Sequence, residues 1–347
     1  MTRDVRSVTR ADVARLAGVS SAVVSYVVND GPRPVAAATA LRVREAMDLL
    51  GYRPNASARA LRTGTTQTLG LVLGDSRNPF FTEYTFELVK AAAGLGKHVL
   101  IGDAHQYGQG DPAAIVEALV ARQVDGLLFA APHHGWTSRL AAASPVPFVL
   151  VDAPGPMPGV RSVGSAARAG AHELTRHLIA DGRRHVALLI GEEGFGHPDP
   201  REAGWLSAHV EAAVRPGPVM RTSFTREGGY AGTVRLLQGQ EQVDAIFASN
   251  DLQAIGALRA LHEHGRPIPG DIALVSYDGT IEAEFAWPPL TVARQNVQAM
   301  ARAALDLLAG PQPSAGRHVE IATQLIIRAS CGCPVATTTA SARAKES

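Results

Sequence analysis

Several polar side chains stand directly behind short apolar runs, where they could meet a ligand. Asp152 follows FVLV, Asn250 and Asp251 follow AIFAS, and Asp278 follows LVSY. Arg201 opens REAGW, just after the loop GEEGFGHPDP. Carboxylates and amides hydrogen-bond paired hydroxyls, and a guanidinium adds a fork of donors. The same residue types at strand ends also cap the helix that follows, so ligand contact and capping both stand as readings here.

Other chemistry is absent or incomplete. There is no G-x-S-x-G elbow, no G-x-x-x-x-G-K-[ST] phosphate loop and no paired-histidine metal motif. His133 and His134 are adjacent and cannot share one helix face. Cys331 and Cys333 form a Cys-x-Cys pair, which cannot complete a four-ligand zinc site without distant partners. The expectation is two reduced thiols, no metal, no cofactor and no enzyme activity. Arginine is concentrated at the start: residues 1–64 carry a net charge of +5 and the remainder −4. A basic arm on an acidic body suits a polyanionic partner.

The elements that would position these groups fall into two kinds. In VTRADVARLAGVSSAVVSYVVN, Thr9 and Asp12 make a capping-box start for one helix, and Gly18 ends it. Ser20 caps a second helix, whose Val23, Val24, Val27 and Val28 stripe packs back on Val13 and Leu16. A third helix is predicted over about 39–50, with Val43, Met47 and Leu50 on one face and Gly51 past its end. Two such helices across a tight turn are a helix-turn-helix. An ordinary helical hairpin is the plainer alternative. The rest of the chain alternates strand-like runs with helical stretches in two blocks, broken near residues 153–165, and predicts two doubly wound α/β lobes. Ligands of such sheets lie beyond the carboxyl ends of the strands.

Three segments, VTRADVARLAGVSSAVVSYVVN, GYRPNASARALRTG and TLGLVLGDSRNPFF, resemble LacI/GalR-family repressors in this order and spacing. The resemblance implies a multi-domain chain: an all-α helix-turn-helix head over residues 1–52, a hinge helix over 53–64 and a two-lobed body over 65–335. That body resembles periplasmic binding proteins, with lobe 1 over about 65–164 and 290–323 and lobe 2 over about 165–289 and 324–335. A disordered tail over 336–347 ends the chain. The implied partners are a pseudo-palindromic double-stranded operator, a small-molecule effector (a sugar or related metabolite) and a second copy of the chain.

Residue by residue, the resemblance implies that Ser21, Ala22 and Tyr26 read bases, and that Ser20, Ser25 and Asn29 hold phosphates, with Thr9 in the same interface. Tyr26 stands where the family most often has Arg, which can grip guanine with two hydrogen bonds. In the hinge, Asn55 caps, Ala58 lets a second helix approach, Leu61 wedges into a base step, and Arg59 and Arg62 flank it. Asp152, Arg201, Tyr230, Asn250, Asp278 and Gln295 match effector positions. Ser165 departs from the family, which commonly has Asp there. Phe80 and Phe81 are expected to pack. A charged start without an apolar signal segment, and no apolar run long enough to span a bilayer, point to the cytoplasm and to no membrane partner.

Overall fold

The Thr9 hydroxyl accepts from the Asp12 amide at 3.4 Å while the Asp12 carboxylate accepts from the Thr9 amide at 2.9 Å. This reciprocal pair satisfies amide donors that a first turn leaves open, and it begins helix α1 (Arg10–Ala17). Gly18 closes α1 at φ 65°, a backbone region that penalises a Cβ. Helix α2 (Ser21–Asn29) follows, with the Ser20 hydroxyl accepting from the Val23 amide. The chain bends by 104° between the two helices, within the roughly 90–120° of a helix-turn-helix.

Helix α3 (Ala37–Leu50) completes the unit and ends at Gly51. Val13, Ala14, Ala17, Val24, Val43 and Ala46 close the core of this three-helix unit. Leu16 does not join them and is 52% exposed. At 3.6 residues per turn it lies roughly 100° round α1 from the mean direction of Val13, Ala14 and Ala17. Val27, Val28 and Met47 pack at the edge of the core instead.

The computed structural model describes residues 8–29, 34–54, 60, 63–104, 113–130, 134–191, 199–310 and 316–333. The chain divides into two units, Met1–Thr66 and Gln67–Ser347. The hinge candidates Asn55, Ala58, Arg59, Leu61 and Arg62, and the tail 336–347, lie outside the described residues.

The second unit holds two six-stranded sheets. The first contains β1 (Thr68–Leu73), β2 (His98–Asp103), β3 (Gly126–Ala130), β4 (Phe148–Val151), β5 (Arg161–Ser165) and β11 (Arg317–Ile321), in spatial order 2-1-3-4-5-11 and parallel throughout. The second contains β6 (Val186–Gly191), β7 (Val219–Thr222), β8 (Ala245–Ala248), β9 (Ala273–Asp278), β10 (Thr291–Arg294) and β12 (Gln324–Ile326), in order 7-6-8-9-10-12. Only β12 runs antiparallel there. The inner strands are continuous buried runs such as VALLIG and ALVSYD, because helices cover both faces.

Helices α4 (Pro79–Gly94) and α12 (Val297–Ala309) bury Leu88, Ala92, Met300 and Ala304 on one face of the first sheet. Helix α5 (Ala113–Ala121) covers the other through Ile115, Val116 and Leu119, and α6 (His134–Ala143) adds partly buried Leu140. On the second sheet, α7 (Ala167–Ala180) and α8 (Pro200–Glu211) supply Leu174, Leu178 and Trp205 to one face. Helices α9 (Arg226–Gln238) and α10 (Asp251–Glu263) supply Leu236, Ala254 and Leu261 to the other, and the short α11 (Ile281–Phe285) adds Ala283. In each sheet the strand order reverses beside the first strand, which makes a crevice at the carboxyl ends.

Two expectations are corrected. Strand β10 pairs with β9, so residues 291–294 belong to the second lobe, and the chain crosses back between Arg294 and α12. The expected break near 153–165 contains the buried strand β5. Its polar residues are paired: Arg161 donates to the carbonyls of Leu307 and Gly310, and Ser162 bonds His318 Nδ1 at 2.8 Å. The chain passes between the sheets three times, the others after β5 and between β11 and β12.

Candidate functional site

The carboxyl ends of both sheets converge on one cavity of about 290 Å³. Asp152 stands at the end of β4, Ser165 at the end of β5, Asp278 at the end of β9 and Gln295 just beyond β10. Asp199 and Arg201 come from the start of α8, Asn250 from the N-cap of α10, and Phe224 from the loop after β7. Phe80 and Phe81 arrive on the first turn of α4, which Pro79 starts and Asn78 caps.

Arg201 is held in place before any ligand is considered. Its Nε and Nη2 donate to the two Asp199 oxygens at 3.0 and 2.6 Å, and Nη1 donates to the Ser249 carbonyl at 2.8 Å. Its guanidinium carbon lies 5.0 Å from the centre of the Phe224 ring and 5.8 Å from that of Tyr277. Of five N–H groups, these bonds use three, leaving donors for a ligand. Burial lowers the Arg201 pKa, but Asp199, with Asp278 and Asp152, outweighs it and holds the guanidinium above its ordinary value.

The carboxyls respond in the opposite sense. Burial pushes Asp152 up to about 7, with Arg201 pulling it down and Asp199 pushing it up. Burial also raises Asp278 well above the carboxylate range, and the nearby charge of Asp251 adds to the rise. Asp251 is itself structural: it accepts from the Ser276 hydroxyl and from the amide and hydroxyl of Thr280. Gln295 Nε2 donates to Asp278 Oδ1 at 2.8 Å, while its buried Oε1 has no partner among the described residues. An unmet acceptor of this kind costs about 1–3 kcal/mol until a donor reaches it. Asp152 and Asp278 both hold positive φ, 57° and 101°. Such backbones persist where the surrounding structure enforces them, often at ligand sites.

Five of the six expected effector residues, Asp152, Arg201, Asn250, Asp278 and Gln295, line this cavity. Tyr230 does not. On α9 the inward face is Gly228, Gly229, Gly232, Thr233 and Leu236. Tyr230 points to α10, where its hydroxyl donates to Glu263 at 2.6 Å and Arg259 covers its ring at 5.4 Å. Asn250 does two jobs, since its Oδ1 caps α10 through the Gln253 amide and its Nδ2 donates to the Phe224 carbonyl. Phe80 both packs in the core and lines the cavity with Phe81. Ser165 accepts from the Tyr277 hydroxyl at 2.9 Å, which joins the two lobes. Asp199, Phe224 and Tyr277 were not expected. The Asp-Pro-Arg run was a usable signal for Asp199, as an N-cap ahead of a helix-starting proline. Phe224 follows a strand that was itself not foreseen.

In the first unit, Ser20, Ser21 and Ala22 are exposed at the start of α2, and Ser25 and Tyr26 are half-buried on the same helix. Thr9 is exposed and engaged in the capping box, and the Asn29 side chain lies outside the described part of α2.

A helix-turn-helix unit joined to a body of two sheets around a polar cavity defines a ligand-controlled DNA-binding regulator. Residues 9–55 match the model of bacterial regulatory proteins of the lacI family, and residues 175–331 match a periplasmic binding protein-like domain. The HTH-type transcriptional repressor PurR of Haemophilus influenzae (strain PittEE) is 32% identical over 334 residues, covering 92% of this chain and 97% of that protein. The HTH-type transcriptional regulator GalR of Escherichia coli (strain K12) is 32% identical over 299 residues, covering 85% and 87%. Among solved structures, the Lac repressor dimer bound to operator and the anti-inducer ONPF aligns with a TM-score of 0.82, 27% identity and coverage of 94% and 99%. The CelR–cellobiose complex aligns at 0.67, with 28% identity and coverage of 93% and 99%.

The chain belongs to the lacI family of bacterial regulatory proteins. It is a DNA-binding transcription regulator controlled by a small-molecule effector, and not an enzyme.

Proposed function

We propose that the cavity between the two sheets is the effector site and that its ligand is a neutral, hydroxyl-rich ring, a sugar or close relative. The observation that carries this reading is the set of polar groups around one cavity: the Arg201–Asp199 fork, the Asp278–Gln295 pair with its open acceptor, and Asp152. Paired donors and acceptors beside Phe81, Phe224 and Tyr277 suit a ring with an apolar face and hydroxyl edges. Four carboxyls, Asp75, Asp152, Asp199 and Asp278, against one guanidinium disfavour a phosphorylated or otherwise anionic ligand. The CelR–cellobiose structure supports a saccharide in a body of this fold.

The same reading takes the regulator to be a cytoplasmic repressor that binds a pseudo-palindromic operator as a homodimer. The head positions Thr9, Ser20, Ser21, Ala22, Ser25, Tyr26 and Asn29 and the hinge positions Asn55, Ala58, Arg59, Leu61 and Arg62 are its DNA side. Exposed apolar side chains on α4 and the edge strand β2, among them Phe86 and Ile101, support an interface between copies. Among the described residues no single helix is long and apolar enough to cross a membrane.

The test is a thermal-shift screen of neutral sugars, phosphorylated sugars and free nucleobases. Each hit is then added to an operator gel shift with DNA upstream of the protein's own gene. A neutral saccharide that stabilises the protein and changes operator affinity is expected. A response confined to nucleobases or phosphorylated compounds overturns the ligand class.

A further inference from the structure

The Cys-x-Cys pair finds its distant partner in the folded chain. Cys331 lies on a one-turn 3-10 helix (Ala329–Cys331) after β12 and is fully buried in the core beneath the second sheet. Gly332 follows at φ 93° and ψ −5°, a left-handed turn that lets the chain curl between the two thiols. His177, in the last turn of α7, projects to the same place from a point 156 residues earlier. Cys333 Sγ lies 3.3 Å from His177 Nε2, and one ligand atom from each of the three residues lies within 4.8 Å of the others. None of the three lines the effector cavity.

We propose that His177, Cys331 and Cys333 form a zinc site that ties the end of α7 to the segment after β12. Two thiolates and an imidazole are a donor set that zinc favours. With Zn–S near 2.3 Å and Zn–N near 2.0–2.1 Å, tetrahedral ligand atoms stand about 3.5–3.8 Å apart. The three atoms therefore need to move by about an ångström or less to close on an ion. A water molecule completes the tetrahedron at the fourth corner. The staple joins chain segments from the two ends of the second lobe, so the ion stabilises that lobe in proportion to its preference for the folded state. Both thiols must lose their protons and the imidazole must be neutral to bind, so zinc uptake releases protons.

The experiment uses the full-length protein, reduced and stripped with a chelator, and titrated with cobalt(II) as a spectroscopic stand-in for zinc. The expected result is about one cobalt per chain, a thiolate-to-cobalt charge-transfer band and visible bands of tetrahedral coordination, all displaced by equimolar zinc. Cys333→Ser and His177→Gln, at half-buried positions, should each abolish the charge-transfer band while keeping the wild-type circular dichroism. Zinc should raise the melting temperature of the wild type and leave that of Cys333→Ser unchanged. Two variants are used so that a folding failure in one leaves the other to decide. Absence of the band in the wild type, or its survival in either folded variant, overturns the proposal. So does a Cys331–Cys333 disulfide that forms in air equally fast with and without zinc.

Discussion

The two walls of the cavity are built differently. The second lobe presents a hydrogen-bonded polar network, in which Asp199 fixes Arg201, Phe224 O fixes Asn250 and Gln295 fixes Asp278. The first lobe presents Phe80 and Phe81, the small residues Ala153 and Pro154, and polar groups already spent locally, such as Asn78 capping α4. Asp152, and Ser165 with its bond from Tyr277 of the other lobe, are the exceptions on that side. A preorganised polar wall fixes the orientation of a ligand, whereas an apolar wall gains energy mainly when it closes over one. At the proposed effector site, the second lobe therefore decides which ligand is held and the first lobe contributes mainly by packing over it.

Removing the fork should have the largest effect. Arg201→Ala is expected to weaken effector binding by roughly 2–5 kcal/mol, the range for truncating one partner of a buried charge pair. Calorimetry with the ligand identified by the screen reads this directly. A loss under threefold would move orientation away from the second lobe.

Asp152 gives a pH signature. Its folded pKa, about 7, lies above the unfolded value. The native state then holds a proton that the unfolded chain releases, so this group's contribution to stability falls as pH rises from about 4 to 7 and stays low above that. Asp152→Asn removes the cost, and should raise the melting temperature by roughly 2–4 °C or more at pH 8, with a much smaller gain at pH 4.5. Melting curves of both proteins at the two pH values test it, and equal shifts would mean that Asp152 is ionised without penalty.

The apolar wall should matter less. Phe81→Ala is expected to cost about 0.5–1.5 kcal/mol of ligand affinity, the scale of a ring-packing contribution, without changing the order of preference among sugars. A reversal of that order would give the first lobe a share in selection. Tyr230→Phe should be the smallest change. It removes only the exposed hydrogen bond to Glu263, so ligand affinity should hold within about twofold and stability within about 0.5 kcal/mol.

What was legible in the sequence follows the range of the interactions. The first unit rests on signals a few residues apart: the Thr9–Asp12 box, the positive φ of Gly18 and the Val24 face. Asp152, Asn250 and Asp278 were visible because each follows an apolar run that makes a buried strand. Strand β5 was not, because its Arg161 and Ser162 are tolerated inside only through partners about 150 residues away. Ser165 departs from the family pattern, but its bond to Tyr277 across the lobes depends on pairings no local pattern encodes. Leu16 and Tyr230 failed for a related reason. Which face of a helix turns inward is decided by the neighbour it meets. The Cys-x-Cys pair stands alone in the sequence because His177 joins it only in the fold.

Sensing and DNA binding use separate residues in this account, and one operator titration tests that most directly. Wild type, Arg201→Ala and Tyr230→Phe are each titrated on the operator, with and without effector at a concentration that just saturates the wild type. Wild type and Tyr230→Phe should respond to the effector alike. Arg201→Ala should bind the operator with wild-type affinity and lose the response. An Arg201→Ala protein that is folded and still responds in full, or that no longer binds the operator, would contradict the account.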